Sequence, residues 1–579
     1  MDNRFGVIDY VIFGLFLLTS LSIGAYHAWK AKRKQTQREQ SKNEPEGNEG
    51  TDDFLMGGRQ MPILPIALSV MATFLSGITL LGTPAEIFQR GLNFWVYYSM
   101  AGLSVAFTGV FFIPHFYPLK LTSIYEYFEL SLGSRVLRRV GALMFLVNTL
   151  FYMGIVMFAP AIALSHVTGL PTYLLIIIVG FAGTIYTSIG GLKAVVWTDT
   201  LQAVFMYTGL GVLVVKGTID AGGLSRVFEV AFASGRIDEL NRWDPNPAQY
   251  SSMPWSITAG FTQWLSLFGL NQMAMQRYCS LPSVKNARIV ALITAVAFVV
   301  MGTLASYIGL IMLAYYYDCN PLETREIKTQ DQLVVTFATE VLGFLPGFPG
   351  LYLACLMSGT LSSISSGINS MSAVLWEDFL KQNWSLKDDQ VVMLNKVMGF
   401  TLGLICIALA FSCFFLGGII GAANSAFGAL TGPLLGVFVF AIYVKFATKA
   451  GALIAFVVAE AFVLWICTGY QIFKPYATFT LPFNTTNASC EYSIPSTVDL
   501  NTSHAYDPHY GNPDVFYFYK FSNISYTVFG VAIVFALGLP ISFLTKKWEQ
   551  RKVAGIGKDL EKEIQRNNAT ENGDAKVKI

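Results

Sequence analysis

The chain consists mainly of long apolar stretches separated by short polar ones. A helix needs about 20 apolar residues to cross the hydrocarbon core of a membrane. About thirteen stretches approach or exceed that length, which predicts an all-α membrane protein with about 13 transmembrane helices. The predicted spans cover residues 8–29, 62–88, 92–116, 135–168, 171–189, 194–217, 255–275, 285–318, 349–378, 394–417, 419–445, 449–471 and 524–545.

Composition supports membrane insertion and excludes several functional classes. Of the 579 residues, 53% are hydrophobic and 13% are charged, whereas soluble proteins average about 25% charged residues. The formal net charge of +2 gives no support to nucleic-acid binding. The 7 cysteines and 5 histidines form no metal-ligand pattern, so no metal other than sodium is expected. No nucleophile–base pair or phosphate loop is present either, so an enzyme is not expected.

The positive charges predict the orientation of the chain in the bilayer. Lysines and arginines follow the first span, whereas a signal peptide carries them in front. By the positive-inside rule, we expect an extracellular N-terminus and a cytosolic C-terminus in the plasma membrane. Glycosylation sequons agree, because four of them lie in or beside the long loop 472–523 assigned to the outside. These sequons are at Asn484, Asn487, Asn501 and Asn523.

Two cysteines, Cys319 and Cys490, also fall in loops assigned to the outside. A disulfide between them and a pair of free thiols are both compatible with the sequence.

The order of the spans suggests two inverted repeats, in which interrupted helices at matching positions form a substrate site. The leading helix of the first set contains Ser76-Gly77, and that of the second contains Phe268-Gly269. Small residues that serve helix packing are the alternative explanation. The predicted parts are residues 1–61 (first span and cytosolic linker), 62–217 (first five-helix repeat), 218–254 (extracellular loop), 255–445 (second five-helix repeat), 446–545 (two peripheral helices with loop 472–523) and 546–579 (cytosolic tail).

One span is rich in hydroxyl groups, because Met357–Ser372 reads MSGTLSSISSGINSMS. Gly359, Ser362 and Ser363 share one helical face. Sodium is a hard cation that takes oxygen ligands. Two hydroxyls and the carbonyl of Gly359, completed by carbonyls from the first broken helix such as those of Ala72 and Leu75, could bind it. A packing face whose hydroxyls bond to their own helix is the alternative.

Carboxylates within the membrane need a partner, because each costs about 2.5–3.5 kcal/mol at membrane depth. Asp199 lies near the cytosolic end of the sixth span, and Gln202 faces the same way. Sodium or a proton is the expected partner of Asp199, and Lys193 is the structural alternative. Glu460, in the twelfth span, is interpreted as a packing or pairing residue.

Several motifs together resemble the sodium/solute symporter family. The run Tyr186–Ala194 with Asp199, and the run Ser358–Ser370, resemble its signature over a chain matched from about residue 8 to 545. The runs Gly82–Glu86 and Thr431–Gly436 are similar to the branch of multivitamin, monocarboxylate and iodide transporters.

The resemblance implies a leucine-transporter-like core of five plus five inverted helices, together with three sets of site residues. The common sodium site would comprise Ala72, Leu75, Gly359, Ser362 and Ser363. A second sodium region would comprise Thr73, Asp199, Gln202 and Gln272. The substrate cavity would comprise Ser76, Thr79, Tyr152, Trp264, Phe268 and Ser425.

The expected function is sodium-coupled symport of a small organic anion by alternating access. A monocarboxylate or a carboxylate vitamin such as pantothenate or biotin would be the solute, and the lipid bilayer the other partner. Sugar carriers of the family have glutamine in place of Ser425, and iodide carriers have glutamine in place of Thr79. An iodide or other small-anion symporter, and a sodium-binding sensor without transport, stay as alternatives. The oligomeric state is left open.

Overall fold

The computed structural model describes residues 6–40, 49–324, 326, 327, 329–415, 419–476, 481 and 508–546. All the regular elements assigned in this part of the chain are helical. The helices before residue 250 are α1 (Val7–Gln40), α2 (Glu49–Met56), α3 (Ile63–Phe74), α4 (Gly77–Arg90), α5 (Asn93–Phe107), α6 (Ile113–Phe116), α7 (Glu126–Leu132), α8 (Arg135–Thr168), α9 (Thr172–Asp220) and α10 (Leu224–Ala233).

The second half of the chain continues with nine helices in the described part. They are α11 (Met253–Gly269), α12 (Gln272–Tyr278), α13 (Val284–Tyr315), α14 (Leu333–Leu342), α15 (Phe348–Val374), α16 (Asp388–Ser412), α17 (Ile419–Tyr443), α18 (Lys449–Phe473) and α19 (Asn523–Lys546).

Nine helices in the described residues are long and apolar enough to cross a membrane. The expected count of thirteen stays a prediction, because the other predicted spans fall on broken, joined or shorter helices. Two predicted spans, 171–189 and 194–217, are joined in α9 across a kink at Gly191. Gly191 has φ +61°, and a β-carbon there would lie 2.7 Å from the Phe54 ring. Glycine tolerates this conformation because it has no side chain.

Both expected interruptions are confirmed. Between α3 and α4, Leu75 has φ −88° and ψ 80°, and Ser76 is extended. Between α11 and α12, Leu270 and Asn271 leave the helical conformation. Asn271 then caps α12, since its side-chain oxygen accepts a hydrogen bond from Met273 N at 2.9 Å. Each leading helix is therefore two half-helices, and the backbone groups at the breaks lack helical partners.

The hydroxyl-rich helix α15 lies at the centre of the molecule. Within the span Phe348–Leu380, 94% of an apolar stretch of 18 residues is buried. The helix packs against α9, α8, α1 and both halves of the first broken helix. Its serines therefore face protein, which places them where a site between the repeats requires them.

Several expectations concern peripheral segments. Asn484, Asn487, Asn501 and Cys490 lie outside the described residues, as does the tail beyond Lys546. Cys319 is disulfide-bonded, whereas the other five described cysteines carry free thiols.

Asn523 does not fit a glycosylation site. It is 2% exposed, and its amide nitrogen donates to Gly421 O at 3.2 Å. A glycan would be attached at that same nitrogen, so the expectation at Asn523 is withdrawn. Glu460 is also buried, and neither of its carboxylate oxygens has a hydrogen-bond partner among the described residues. The packing role expected for Glu460 therefore fits better than the pairing role.

Candidate functional site

The break between α3 and α4 faces the serines of α15. Ser362 Oγ donates to Ala72 O at 2.8 Å, and Ser363 Oγ donates to Thr73 O at 2.9 Å. Both hydroxyls also lie near Gly359 O, at 3.1 and 3.0 Å. The serine hydroxyls therefore bridge the carbonyls of one helix end and one turn of α15.

Gly359 permits this close approach. A β-carbon at this position would lie 2.9 Å from Leu75 O and 3.0 Å from Gly77 N, so a larger residue would push α15 away from the break. The structure thus brings together all five residues proposed for the common sodium site. Carbonyl and hydroxyl oxygens without a carboxylate suit a monovalent hard cation that must be released again.

A buried polar network lies next to this cluster, around Asp199. Asp199 Oδ2 accepts from Ser69 Oγ at 2.6 Å and lies 3.4 Å from Arg277 Nη2. Arg277 Nε also donates to Ser69 Oγ at 2.8 Å. Both charged side chains are fully buried, and a buried charge requires such a partner. Lys193, the structural alternative for Asp199, forms an ion pair with Asp53 instead.

Sequence reasoning therefore missed the principal partner of Asp199. From the sequence, only sodium, a proton and Lys193 were considered as partners of this carboxylate. Arg277 and Asp199 are 78 positions apart, so only the packing of α12 against the core brings them together. The sequence did indicate that the buried carboxylate of Asp199 needs a cationic partner, but not which residue supplies it.

The second sodium region is assembled in part. Thr73 Oγ1 lies 2.8 Å from Ser366 Oγ, which also accepts from Arg277, so Thr73 joins the Asp199 network. Asp199 Oδ1 and both side-chain polar atoms of Gln202 are buried and have no hydrogen-bond partner among the described residues. Asp199 Oδ1 and Gln202 Oε1 are therefore available to a cation.

Gln272 belongs to a different contact. Its Oε1 accepts from Ile124 N at 2.9 Å, and its Nε2 donates to Thr122 O at 2.6 Å. Both polar atoms are therefore used to hold the segment before α7. Gln272 therefore does not take part in the hydrogen bonds around Asp199, and its sodium contact stays a prediction.

A small cavity of about 30 Å³ lies beside the first break. Four of the six residues proposed for the substrate cavity line it, namely Ser76, Thr79, Tyr152 and Trp264. Phe268 lies behind this wall, with its ring 5.9 Å from that of Trp264.

Ser425 is not brought to this cavity. Its hydroxyl donates to Gly421 O at 2.7 Å, and its carbonyl accepts from Cys467 Sγ of α18. Phe427, two residues further along α17, lines the cavity instead. Ser425 therefore does not line this cavity, because its part of α17 contacts the peripheral helix α18.

Sequence reasoning also missed Tyr98 and Gln263, which line the same cavity. Tyr98 donates to Thr79 Oγ1 at 3.2 Å. No charged residue lines the cavity within the described part of the chain. Its lining therefore combines hydroxyl and amide groups with aromatic rings.

Comparison with known proteins identifies the family of the chain. The model of the sodium:solute symporter family matches residues 54–459. Sodium-coupled monocarboxylate transporter 1 of Mus musculus is 35% identical over 554 residues, covering 94% of this chain and 88% of the relative. The sodium-dependent multivitamin transporter of Oryctolagus cuniculus is 36% identical over 511 residues, covering 86% of this chain and 77% of the relative.

A solved structure supports the same fold. The substrate-bound, outward-open structure of a Na⁺-coupled sialic acid symporter superimposes with a TM-score of 0.75 at 21% identity, covering 93% of this chain and 98% of that chain. The all-α fold with a leucine-transporter-like five-plus-five core is thereby confirmed. The chain belongs to the sodium:solute symporter family, a family of sodium-coupled transporters and not of enzymes.

Proposed function

We propose that the protein imports a small organic anion together with sodium, by alternating access across the plasma membrane. The supporting observation is the first helix break. Its carbonyls at Ala72 and Thr73 contact the serines of α15, while Ser76, at the same break, lines the solute cavity. Residues 72–76 form one short segment. A cation bound at its Ala72 end would fix the position of Ser76 at the solute-binding end, so that sodium and the solute would each favour binding of the other.

The lining of the cavity suits an anion that sodium partly neutralises. Ser76 Oγ is buried without a hydrogen-bond partner among the described residues, and Thr79 and Gln263 add further polar groups. A carboxylate would accept hydrogen bonds from these groups, and sodium would balance its charge. Two sodium ions and one monoanion would move one net charge. That charge is worth about 1.4 kcal/mol at −60 mV, or roughly tenfold accumulation.

The aromatic side of the cavity favours an organic solute over iodide. Trp264 and Phe427 add large apolar surfaces to the lining, and such surfaces bind the hydrocarbon part of a carboxylate. The relatives are named for monocarboxylates and for vitamins, which supports a monocarboxylate or a carboxylate vitamin such as pantothenate or biotin as the solute.

A second sodium ion is proposed at Thr73, Asp199 and Gln202. The support is the set of buried oxygens without partners, namely Asp199 Oδ1 and Gln202 Oε1. Arg277 offsets part of the Asp199 charge through Oδ2, so that cation binding there would be weak enough to reverse. Sodium would leave past Asp199 toward the cytosol, on the orientation that the positive charges predict.

Uptake measurements test this function. Labelled lactate and labelled pantothenate should enter cells that express the chain faster in sodium than in choline, with an inward current. Equal entry in both media without current would contradict symport. Sodium-dependent iodide entry without entry of either carboxylate would support the small-anion alternative, and sodium-evoked charge movement without any solute flux would support the sensor.

A further inference from the structure

A small cavity lies at the second helix break, between α8, α11 and α17, and the function proposed above does not use it. It has a volume of about 10 Å³. Its lining includes Leu270 and Asn271 at the break, Asn148 of α8, Ser266 of α11 and Thr431 of α17. No charged residue lines it within the described part of the chain. We name it the second-break cavity.

Asn148 brings an oxygen without a partner to this cavity. The residue is 3% exposed, and its Oδ1 accepts no hydrogen bond from the described residues. A buried acceptor that is left unpaired costs about 1–3 kcal/mol. A ligand that presents positive charge to Oδ1 would remove this cost.

The hydroxyl groups of the lining also present oxygens rather than hydrogens. Ser266 Oγ donates to Gln263 O, and Thr431 Oγ1 donates to Phe427 O, each at 2.7 Å. A hydroxyl has one hydrogen and two lone pairs, so both hydrogens are used within their own helices. Gln263 Nε2 makes a long contact of 3.5 Å with Thr431 Oγ1, which leaves that oxygen a further lone pair. Ser266 Oγ and Thr431 Oγ1 lie 3.2 Å apart, close enough for one small ion to contact both.

The lining therefore suits a small cation. Three oxygens of uncharged groups lie at a space that holds about one water molecule, and a water molecule has two hydrogens, which is one too few for these three acceptors. A hard monovalent cation takes oxygen ligands. The binding sites of divalent cations include carboxylates, and the described lining has none.

The position of the second-break cavity repeats that of the common sodium site. In the five-plus-five order of helices, the first break faces α15, which is the third helix of the second set. The second break meets α8, the third helix of the first set, around the cavity. Inverted repeats relate such positions by a pseudo-two-fold axis in the membrane plane. The chain thus places oxygens beside both breaks.

We propose that the second-break cavity binds a sodium ion, with Asn148 Oδ1, Ser266 Oγ and Thr431 Oγ1 among its ligands. This inference goes beyond the proposed function, because the ion is additional to the two sodium ions at the first break and at Asp199. The carbonyls in the last turn of α11 lack helical partners and can supply further oxygens. The bound ion joins α8, α11 and α17 at the second break.

Substitution of Asn148 provides the test. Binding of labelled sodium is measured at equilibrium on the purified full-length protein without solute, with choline as the replacement cation. Leucine has the same branched shape as asparagine but no oxygen, so Asn148→Leu should bind one sodium ion fewer per chain. Asn148→Asp keeps the oxygen and adds a negative charge, so it should lower the half-saturating sodium concentration of this site about tenfold or more.

Thr149→Val is the matched control. Thr149 is the next residue of α8, is 1% exposed and has a hydroxyl oxygen without a partner among the described residues, but it does not line the cavity. The variant should bind as many sodium ions as the unsubstituted protein. If Asn148→Leu cannot be purified, Asn148→Asp carries the test, and unchanged or weaker sodium binding in that variant overturns the site.

The remaining outcomes also decide the question. Unchanged sodium binding in Asn148→Leu would show that the cavity holds water and would overturn the site, as would an equal loss in Thr149→Val. Displacement of the ion by potassium at equal concentration would overturn the assignment to sodium. Absence of sodium-dependent lactate flux would overturn the proposed function instead, because sodium binding is measured here without solute.

Discussion

Replacement of Ser363 by alanine tests the sodium site by removing one oxygen. Ser363 is fully buried, and its Oγ lies 2.9 Å from Thr73 O and 3.0 Å from Gly359 O. In the sodium-bound protein, the hydroxyl would turn its lone pair toward the cation that the carbonyl of Gly359 also binds. The substitution therefore removes one ligand and leaves the rest of the shell in place.

The expected magnitude follows from the charge of the bound ion. A hydrogen-bonding contact to a charged group contributes about 1.5–3 kcal/mol, and about 1.4 kcal/mol corresponds to a tenfold change in affinity. The sodium concentration for half-maximal lactate uptake should therefore rise about tenfold or more. The lost neutral hydrogen bonds should lower stability by about 1 kcal/mol, so the protein should still reach the cell surface.

Ser358→Ala is the control for this experiment. Ser358 lies on the same helix and is also fully buried, but its hydroxyl donates to Ala354 O of its own helix at 2.7 Å. Lactate uptake is measured over a range of sodium concentrations, with choline as the replacement and surface expression as the correction. An unchanged sodium dependence in Ser363→Ala, or an equal shift in Ser358→Ala, would refute the assignment.

Three further predictions concern the rest of the molecule. Arg277→Gln leaves the Asp199 carboxylate buried and unpaired, so it should lower the stability of the protein by about 3–5 kcal/mol. Adding Asp199→Asn to this variant should restore surface expression but not the sodium dependence of uptake. Unchanged surface expression of the single variant would argue against the ion pair. Burial raises the pKa of Glu340 to about 7, so the folded protein is more stable when this carboxyl group is protonated. The melting temperature should therefore fall as the pH rises from about 5 to 8. Glu340→Gln should remove the contribution of this group to the fall. Asn523→Gln should leave the electrophoretic mass of the protein unchanged, whereas a lower mass would show that a glycan is attached there.

Features encoded by neighbouring residues could be predicted from the sequence. The first break was predicted at Ser76-Gly77 and lies at Leu75 and Ser76, because glycine starts the second half-helix there. The serines of α15 could be assigned to one face from their spacing alone. Both features depend on local conformation, and the structure brings the residues of the proposed sodium site together at the first break.

Features that depend on how helices rotate against one another could not be predicted. Ser425 and Phe427 lie on one helix, and the packing of α17 against its neighbours decides that Phe427 lines the cavity while Ser425 does not. Arg277 reaches Asp199 only because α12 turns inward after the second break. No spacing rule on a single helix contains this information.

Direct binding of labelled sodium to the purified full-length protein tests the central claim, that oxygens at the first helix break hold the ion that drives solute entry. Sodium binding should be saturable, and lactate should strengthen it. Joint substitution of Ser362 and Ser363 by alanine should abolish binding at the common site, whereas Ser358→Ala should leave it intact. Binding that is unchanged in the double variant, or that lactate does not affect, would contradict the central claim.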